Sequence, residues 1–100
     1  MVKKRTNKNK TFWVIAYDIT DDLRRSRIVK IIEKHGVRVN FSVFECMLTE
    51  SQLEKLQEKI IKLIDLSEDK IIFYPLCVNC YSKIIYSTKH IRKPEIVTVV

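Results

Sequence analysis

The apolar residues of this chain switch repeatedly between a strand period and a helix period, and that alternation constrains the fold more than any other feature. Residues 11–17, TFWVIAY, are a short aromatic and β-branched run, predicted as a buried strand that stops at Asp18. Thr20, Asp21 and Asp22 then offer helix N-caps, and Ile28, Ile31, Ile32 and His35 share one face of a helix predicted over residues 24–35. Gly36 is predicted to stop it. Residues 37–48, VRVNFSVFECML, alternate imperfectly: Val39, Phe41, Val43 and Glu45 fall to one side, Asn40, Ser42, Phe44 and Cys46 to the other. Neither side is cleanly apolar, which predicts a kink or hairpin at Asn40 to Ser42.

A second helix is the clearest element. Leu53, Leu56, Ile60, Leu63 and Ile64 make its apolar stripe, Glu54, Lys55, Glu58, Lys59 and Lys62 face water, and Ser51 with Glu54 has the spacing of a capping box. KIIFYPL, residues 70–76, is a third strand, with Pro75 at its end or on a sheet edge. KIIY, residues 83–86, reads as a short fourth, and IVTVV, residues 96–100, as a terminal strand that needs something to pair with. The order β-α-β-α-β with extra strands implies a sandwich with helices on one face of a sheet.

A chain of 100 residues with 46% apolar content holds one globular core. Its 19 Lys and Arg against 12 Asp and Glu give a net charge of +7, which favours phosphate-rich partners over acidic proteins or membranes. Most of that charge is local. Lys3, Lys4, Arg5, Lys8 and Lys10 lie in the first ten positions, leaving 14 bases against 12 acids in residues 11–100. Residues 1–10 are therefore expected to be a flexible basic tail. That tail is too polar for a signal sequence, and no apolar run approaches a membrane span, so a cytoplasmic protein with no membrane partner is expected. Gly36 is the only glycine, which excludes a P-loop and a dinucleotide fingerprint and disfavours a small-molecule-sensing module.

Asp18 is the leading candidate for chemistry, because a carboxylate at the carboxyl end of a central strand sits where ligands and catalytic groups gather. The competing assignment is a helix cap, which Thr20, Asp21 or Asp22 can supply instead. Magnesium is commonly held by one or two protein carboxylates with water and phosphate completing the shell, so one Asp per chain suffices if a dimer brings two together. Arg24, Arg25, Arg27 and Arg38 bracket the first helix, and guanidinium forks match phosphate oxygens, although a solvated cationic face has the same composition. Phe12, Trp13, Phe41 and Phe44 suit base stacking, but aromatic residues inside strands are more often core. Cys77 and Cys80 form one C-x-x-C pair with no second pair and only two histidines in the chain, too few ligands for a structural zinc. A redox dithiol is expected at a helix start after a strand, whereas Cys77 reads as a loop residue. Three cysteines fit a reducing compartment better than a disulfide scaffold. His35 reads as a partly buried structural residue.

YDITDDLRRSR at residues 17–27 and HGVRVNFSVFEC at residues 35–46, continued by LTESQLEKLQEKIIKLID and DKIIFYPL, resemble the small CRISPR-associated nuclease family, the second of the two core adaptation proteins. The likeness covers about three-quarters of the chain, with Asn40 standing where that family usually has Gln. It implies an α+β, ferredoxin-like βαββαβ domain over residues 11–88, dimerising sheet to sheet. A C-terminal segment, residues 89–100, would carry an additional strand that crosses to the partner subunit. It further implies a role in spacer acquisition and antiviral defence beside a CRISPR integrase partner, with magnesium-dependent phosphodiester hydrolysis on single-stranded RNA or double-stranded DNA. Carried over by position, Asp18 is the catalytic and metal-binding carboxylate. Tyr17, Arg24, Arg25, Arg27 and Arg38 contact nucleic acid, and Ser42 and Phe44 shape the dimer cleft. Two further readings are a non-catalytic scaffold that bridges integrase dimers on DNA and a related RNase toxin.

Overall fold

Residues 9–87 are described in a computed structural model of the chain. β1 (Lys10–Asp18), α1 (Asp22–Ile32), β2 (Gly36–Asn40), β3 (Val43–Thr49), α2 (Glu50–Leu63) and β4 (Lys70–Leu76) follow in the order βαββαβ, and one helical turn, α3 (Val78–Tyr81), comes after β4. The strands form one antiparallel sheet in the order β2-β3-β1-β4. This is the α+β, ferredoxin-like arrangement, and the ambiguous stretch at residues 37–48 is a hairpin that turns at Phe41 and Ser42.

Strand alternation sorts the side chains into two layers. Ile15 and Tyr17 of β1, with Phe44, Cys46 and Leu48 of β3, meet Ile28 and Ile32 of α1 and Leu56 and Ile60 of α2 in one buried core. Each such aliphatic or aromatic side chain contributes about 1.5–3 kcal/mol on burial. On the opposite face, the Phe12 ring packs at 4.0 Å against Tyr81 of α3, and the Tyr86 hydroxyl donates to the buried Glu45 carboxylate at 2.6 and 2.8 Å. Among the described residues, Val37, Ile72 and Tyr74 stand exposed on that face.

Several local expectations change. β1 begins at Lys10, which composition alone had assigned to the tail. Asp21, not its neighbours, caps α1, its carboxylate accepting from the Arg24 amide at 2.8 Å. That helix ends at Ile32, so Gly36 does not stop it and His35 lies in the following turn. Gly36 opens β2 with ordinary negative φ, and its missing side chain serves a different need: a Cβ there would collide with the Glu45 carbonyl and the Cys46 sulfur of β3. The capping box belongs to Thr49 and Gln52 rather than Ser51 and Glu54, because β3 runs directly into α2. KIIY is not a strand. The chain curls after α3 through Lys83 N–H to Cys80 O and Ile84 N–H to Tyr81 O, and Tyr86 is drawn to Glu45 instead of to a strand partner. Pro75 does lie in edge strand β4, opposite Trp13. The IVTVV strand, the rest of segment 89–100 and most of the basic tail lie outside the described residues. No helix among the described residues is long and apolar enough to cross a membrane.

Candidate nucleic-acid cleft

The site is built by the end of the sheet where β1 stops. The Tyr17 backbone N–H donates to the Ser42 carbonyl at 3.0 Å and its hydroxyl donates to the Phe41 carbonyl at 2.9 Å, so one residue pins the tip of the β2–β3 hairpin against β1. Arg38 then lies over that pin. Its Nη2 is 3.2 Å from the Tyr17 hydroxyl, and its guanidinium carbon lies 5.5 Å from the centre of the Phe44 ring, within cation–π range. Tyr17, Asp18, Ile19, Arg25, Arg38, Phe41 and Ser42 line an open cleft of about 540 Å³.

Asp18 is the last residue of β1, exposed, and paired in register with Lys70. By alternation from Phe12, Val14 and Ala16 it belongs to the sheet face that the long helices leave open. Arg25 enters from the first turn of α1. Its Nη1 donates to the Ile19 carbonyl at 2.9 Å and its Nη2 pairs with Asp22, which hold the guanidinium at the cleft while its remaining N–H groups stay available. Two cations therefore stand beside one carboxylate across an open cleft, a charge arrangement suited to a phosphodiester held near a hard-cation ligand.

The other predicted residues separate. Arg24 is absent from the cleft lining: its Nε lies 2.6 Å from Asp69 Oδ2 and its Nη2 3.0 Å from Oδ1, a bidentate pair with a buried carboxylate, with Glu68 at 3.4 Å. Arg27 is exposed on α1, outside the cleft lining. Ser42 lines the cleft, but Phe44 does not. At 1% exposure it is core beneath Arg38 on the helix-covered face, because its register partner is the equally buried Ile15. Of the four aromatic residues offered for stacking, Phe12 and Phe44 are core, Trp13 packs edge-on to Phe73, and Phe41, at 89% exposure, stands free at the hairpin tip.

Two features escaped the sequence reading. The Arg24–Asp69 pair joins positions 45 residues apart and leaves no local signature. The Tyr17–Phe41 clasp had a clue, since a tyrosine immediately before the strand-end Asp18 is buried by parity yet needs a partner for its hydroxyl. No group of three or more His, Cys, Asp or Glu side chains among the described residues is arranged to hold a metal ion. Tyr17, Asp18 and Ser42 carry the side-chain oxygens of the cleft, and with the Tyr17 hydroxyl engaged by Phe41 and Arg38 the oxygens left for a cation are the Asp18 carboxylate and the Ser42 hydroxyl. Both are hard oxygens, which fits a cation such as magnesium that takes one or two protein ligands and completes its shell with water and phosphate.

Comparison with known proteins supplies the rest. The model of the family described as CRISPR associated protein Cas2 matches residues 11–84. The chain belongs to the Cas2 family. Its similarity to a Synechocystis protein named CRISPR-associated endoribonuclease Cas2 3 is 40% identity over 83 residues, covering 82% of this chain and 90% of that one. Streptococcus pyogenes Cas2, in a crystal structure at pH 6.5, superposes with a TM-score of 0.70 at 26% identity, covering 77% of this chain and 99% of the other. A chain of a partial Cas6-RT-Cas1–Cas2 complex superposes with a TM-score of 0.68 at 30% identity, covering 77% and 84%. Membership of the Cas2 family favours the CRISPR reading over the RNase-toxin one.

Proposed function

We propose that this Cas2 protein acts in CRISPR spacer acquisition as a homodimer whose paired clefts bind nucleic acid and hydrolyse phosphodiester bonds, with magnesium as cofactor. The observation that carries the proposal is the juxtaposition of Asp18 with Arg25 and Arg38 in one open cleft. The relative named an endoribonuclease supports the activity, and the Cas1–Cas2 neighbour supports an integrase partner. The open apolar face bearing Val37, Ile72 and Tyr74 supports a second copy stacked on it, and Asp18 lies on that face by strand parity, so dimerisation brings two carboxylates to one cleft.

Within this reading each residue has a separate task. Arg25 and Arg38 bind non-bridging phosphate oxygens, and the Ile19 carbonyl and Tyr17 hydroxyl fix where those guanidinium groups stand. The exposed Phe41 ring offers a face on which an unstacked base settles, which favours a single strand such as RNA over intact duplex. Asp18 with its symmetry mate holds magnesium, which when bound supplies Lewis-acid charge and a more acidic water. Arg38, resting on the buried Tyr17 and Phe44, costs little reorganisation when phosphate arrives.

Purified protein incubated with single-stranded RNA and with duplex DNA, with and without magnesium, tests the proposal beside Asp18→Ala. Magnesium-dependent cleavage lost in a variant that still dimerises supports it; undiminished cleavage by that variant overturns the assignment of Asp18. A second reading, a non-catalytic bridge that holds duplex for the integrase, draws on the low carboxylate content of the cleft among the described residues. Spacer acquisition that survives Asp18→Ala but fails with Arg25→Ala and Arg38→Ala favours the bridge.

A further inference from the structure

We propose that Cys77 and Cys80 are a redox-active dithiol that closes reversibly to an intramolecular disulfide by exchange with a low-molecular-weight disulfide. The chain around them had argued against this, because Cys77 reads as a loop residue after Pro75 and Leu76. The structure removes that objection. Leu76 is the last residue of β4, Cys77 is the N-cap of α3, and Cys80 lies in the turn it caps. The Cys80 backbone N–H donates to Cys77 Sγ at 3.3 Å, and both side chains are exposed. Residues three apart on one helical turn satisfy the Cα spacing of a disulfide, usually about 4.4–6.8 Å.

The two thiols are chemically unequal. Hydrogen bonds from the Cys80 amide and from the Cys80 thiol lower the Cys77 pKa, whereas the same thiol–thiol contact raises that of Cys80. Cys77 is thus the attacking sulfur and Cys80 the resolving one. In the first step the Cys77 thiolate attacks one sulfur of the oxidant, breaking its S–S bond, forming a mixed disulfide and releasing one small thiolate. In the second, Cys80 gives its proton to that thiolate through water and attacks Cys77 Sγ, expelling the second small thiolate. The protein loses two electrons and two protons, and one oxidant disulfide becomes two thiols. A metal-binding role for the pair lacks support, since no third His, Cys, Asp or Glu joins them among the described residues.

Cys46 provides an internal reference. It is fully buried, and burial, with Glu45 beside it, pushes its thiol up to about 12, so it stays unreactive. The dithiol also lies far from the cleft: β1 pairs Phe12 with Leu76 at one end of the sheet and Asp18 with Lys70 at the other. What it adjoins is Tyr81, the residue that packs α3 onto Phe12. Oxidation therefore fixes the first turn of the segment that crosses the open sheet face.

The test incubates the full chain with oxidised and reduced glutathione at varied ratios, quenches with acid, alkylates the remaining thiols and maps the peptides by mass spectrometry. The expected product is a Cys77–Cys80 disulfide reversed by excess dithiothreitol, with Cys46 reduced throughout. Cys80→Ser should stop at a glutathione adduct on Cys77, and Cys77→Ser should leave Cys80, which lacks the backbone hydrogen bond that Cys77 accepts, reacting more slowly than Cys77 does in Cys80→Ser. Thiols that stay free at every ratio, disulfides only between chains, or protection of both thiols by stoichiometric zinc would each overturn the proposal.

Discussion

Arg24 and Asp69 form a two-pronged ion pair, Nε to Oδ2 at 2.6 Å and Nη2 to Oδ1 at 3.0 Å, that ties the start of α1 to the residue before β4. Asp69 also accepts from the Asp65 amide at 2.9 Å, so one buried carboxylate organises the loop between α2 and β4. Hydrogen bonding from Arg24, above all, holds the Asp69 carboxyl below its ordinary range. A depressed folded-state pKa means that the unfolded chain binds the proton first, so this stabilisation is present above the usual carboxylate range and is lost as pH falls through the depressed value. Asp69→Asn should lower the denaturant midpoint at neutral pH with an unchanged slope, and should flatten the acid branch of the stability profile. A wild-type acid branch in that variant would count against the pair.

Arginine substitutions should sort by position. Arg25→Ala and Arg38→Ala remove cleft cations, so each should lower the magnitude of the log-log salt slope of nucleic-acid binding by about 1. Arg24→Ala should act through stability, with a lower melting temperature. Filter binding across a salt series, beside thermal melts, separates the groups, and an equal slope change for Arg24 and Arg38 would refute the sorting.

Phe41 carries a sharper expectation about the nucleic acid. Loss of one aromatic stacking face costs about 1–3 kcal/mol per base, so Phe41→Ala should weaken single-stranded binding by roughly 5- to 150-fold and leave duplex binding nearly unchanged. Because Phe41 is 89% exposed, the melting temperature should hardly move. Equal losses on both substrates would remove the stacking role.

Gly36→Ala tests close strand approach without a backbone-angle explanation. Since φ there is not positive, any destabilisation comes from the methyl group meeting the Glu45 carbonyl and the Cys46 sulfur. Overpacking of this kind costs about 1–3 kcal/mol. Urea unfolding of the variant should show it, and Cys46→Ala in the same chain should relieve part of the loss.

The alternation of strands and helices was legible because period-2 and period-3.6 stripes coincide with single elements: Leu53, Leu56, Ile60 and Leu63 name one helix face whatever surrounds them, whereas the division of residues 37–48 into two strands showed only as an imperfect alternation. Element ends were not legible, because they depend on partners distant in sequence. Thr49 caps α2 because β3 ends there, and Gly36 is required by β3 rather than by α1. At the cleft, Asp18, Arg25, Arg38 and Ser42 could be named from the sequence, whereas the separation of Arg24 from Arg25 could not. Adjacent arginines on a helix point about 100° apart, and only the tertiary structure shows which of them meets Asp69.

The direct passage of β3 into α2 has a mechanical consequence. With Thr49 the last residue of the strand and Glu50 the first of the helix, that junction has no slack in its backbone. The other connections do contain loop residues: the turn at residues 33–35 joins α1 to β2 near that junction, and the loops at residues 19–21 and 64–69 lie at the Asp18 end. Insertions, reporter peptides and natural length variation are therefore excluded from the β3–α2 junction above all, since a single residue added between Thr49 and Glu50 would rotate α2 by about 100° and turn its buried stripe toward water.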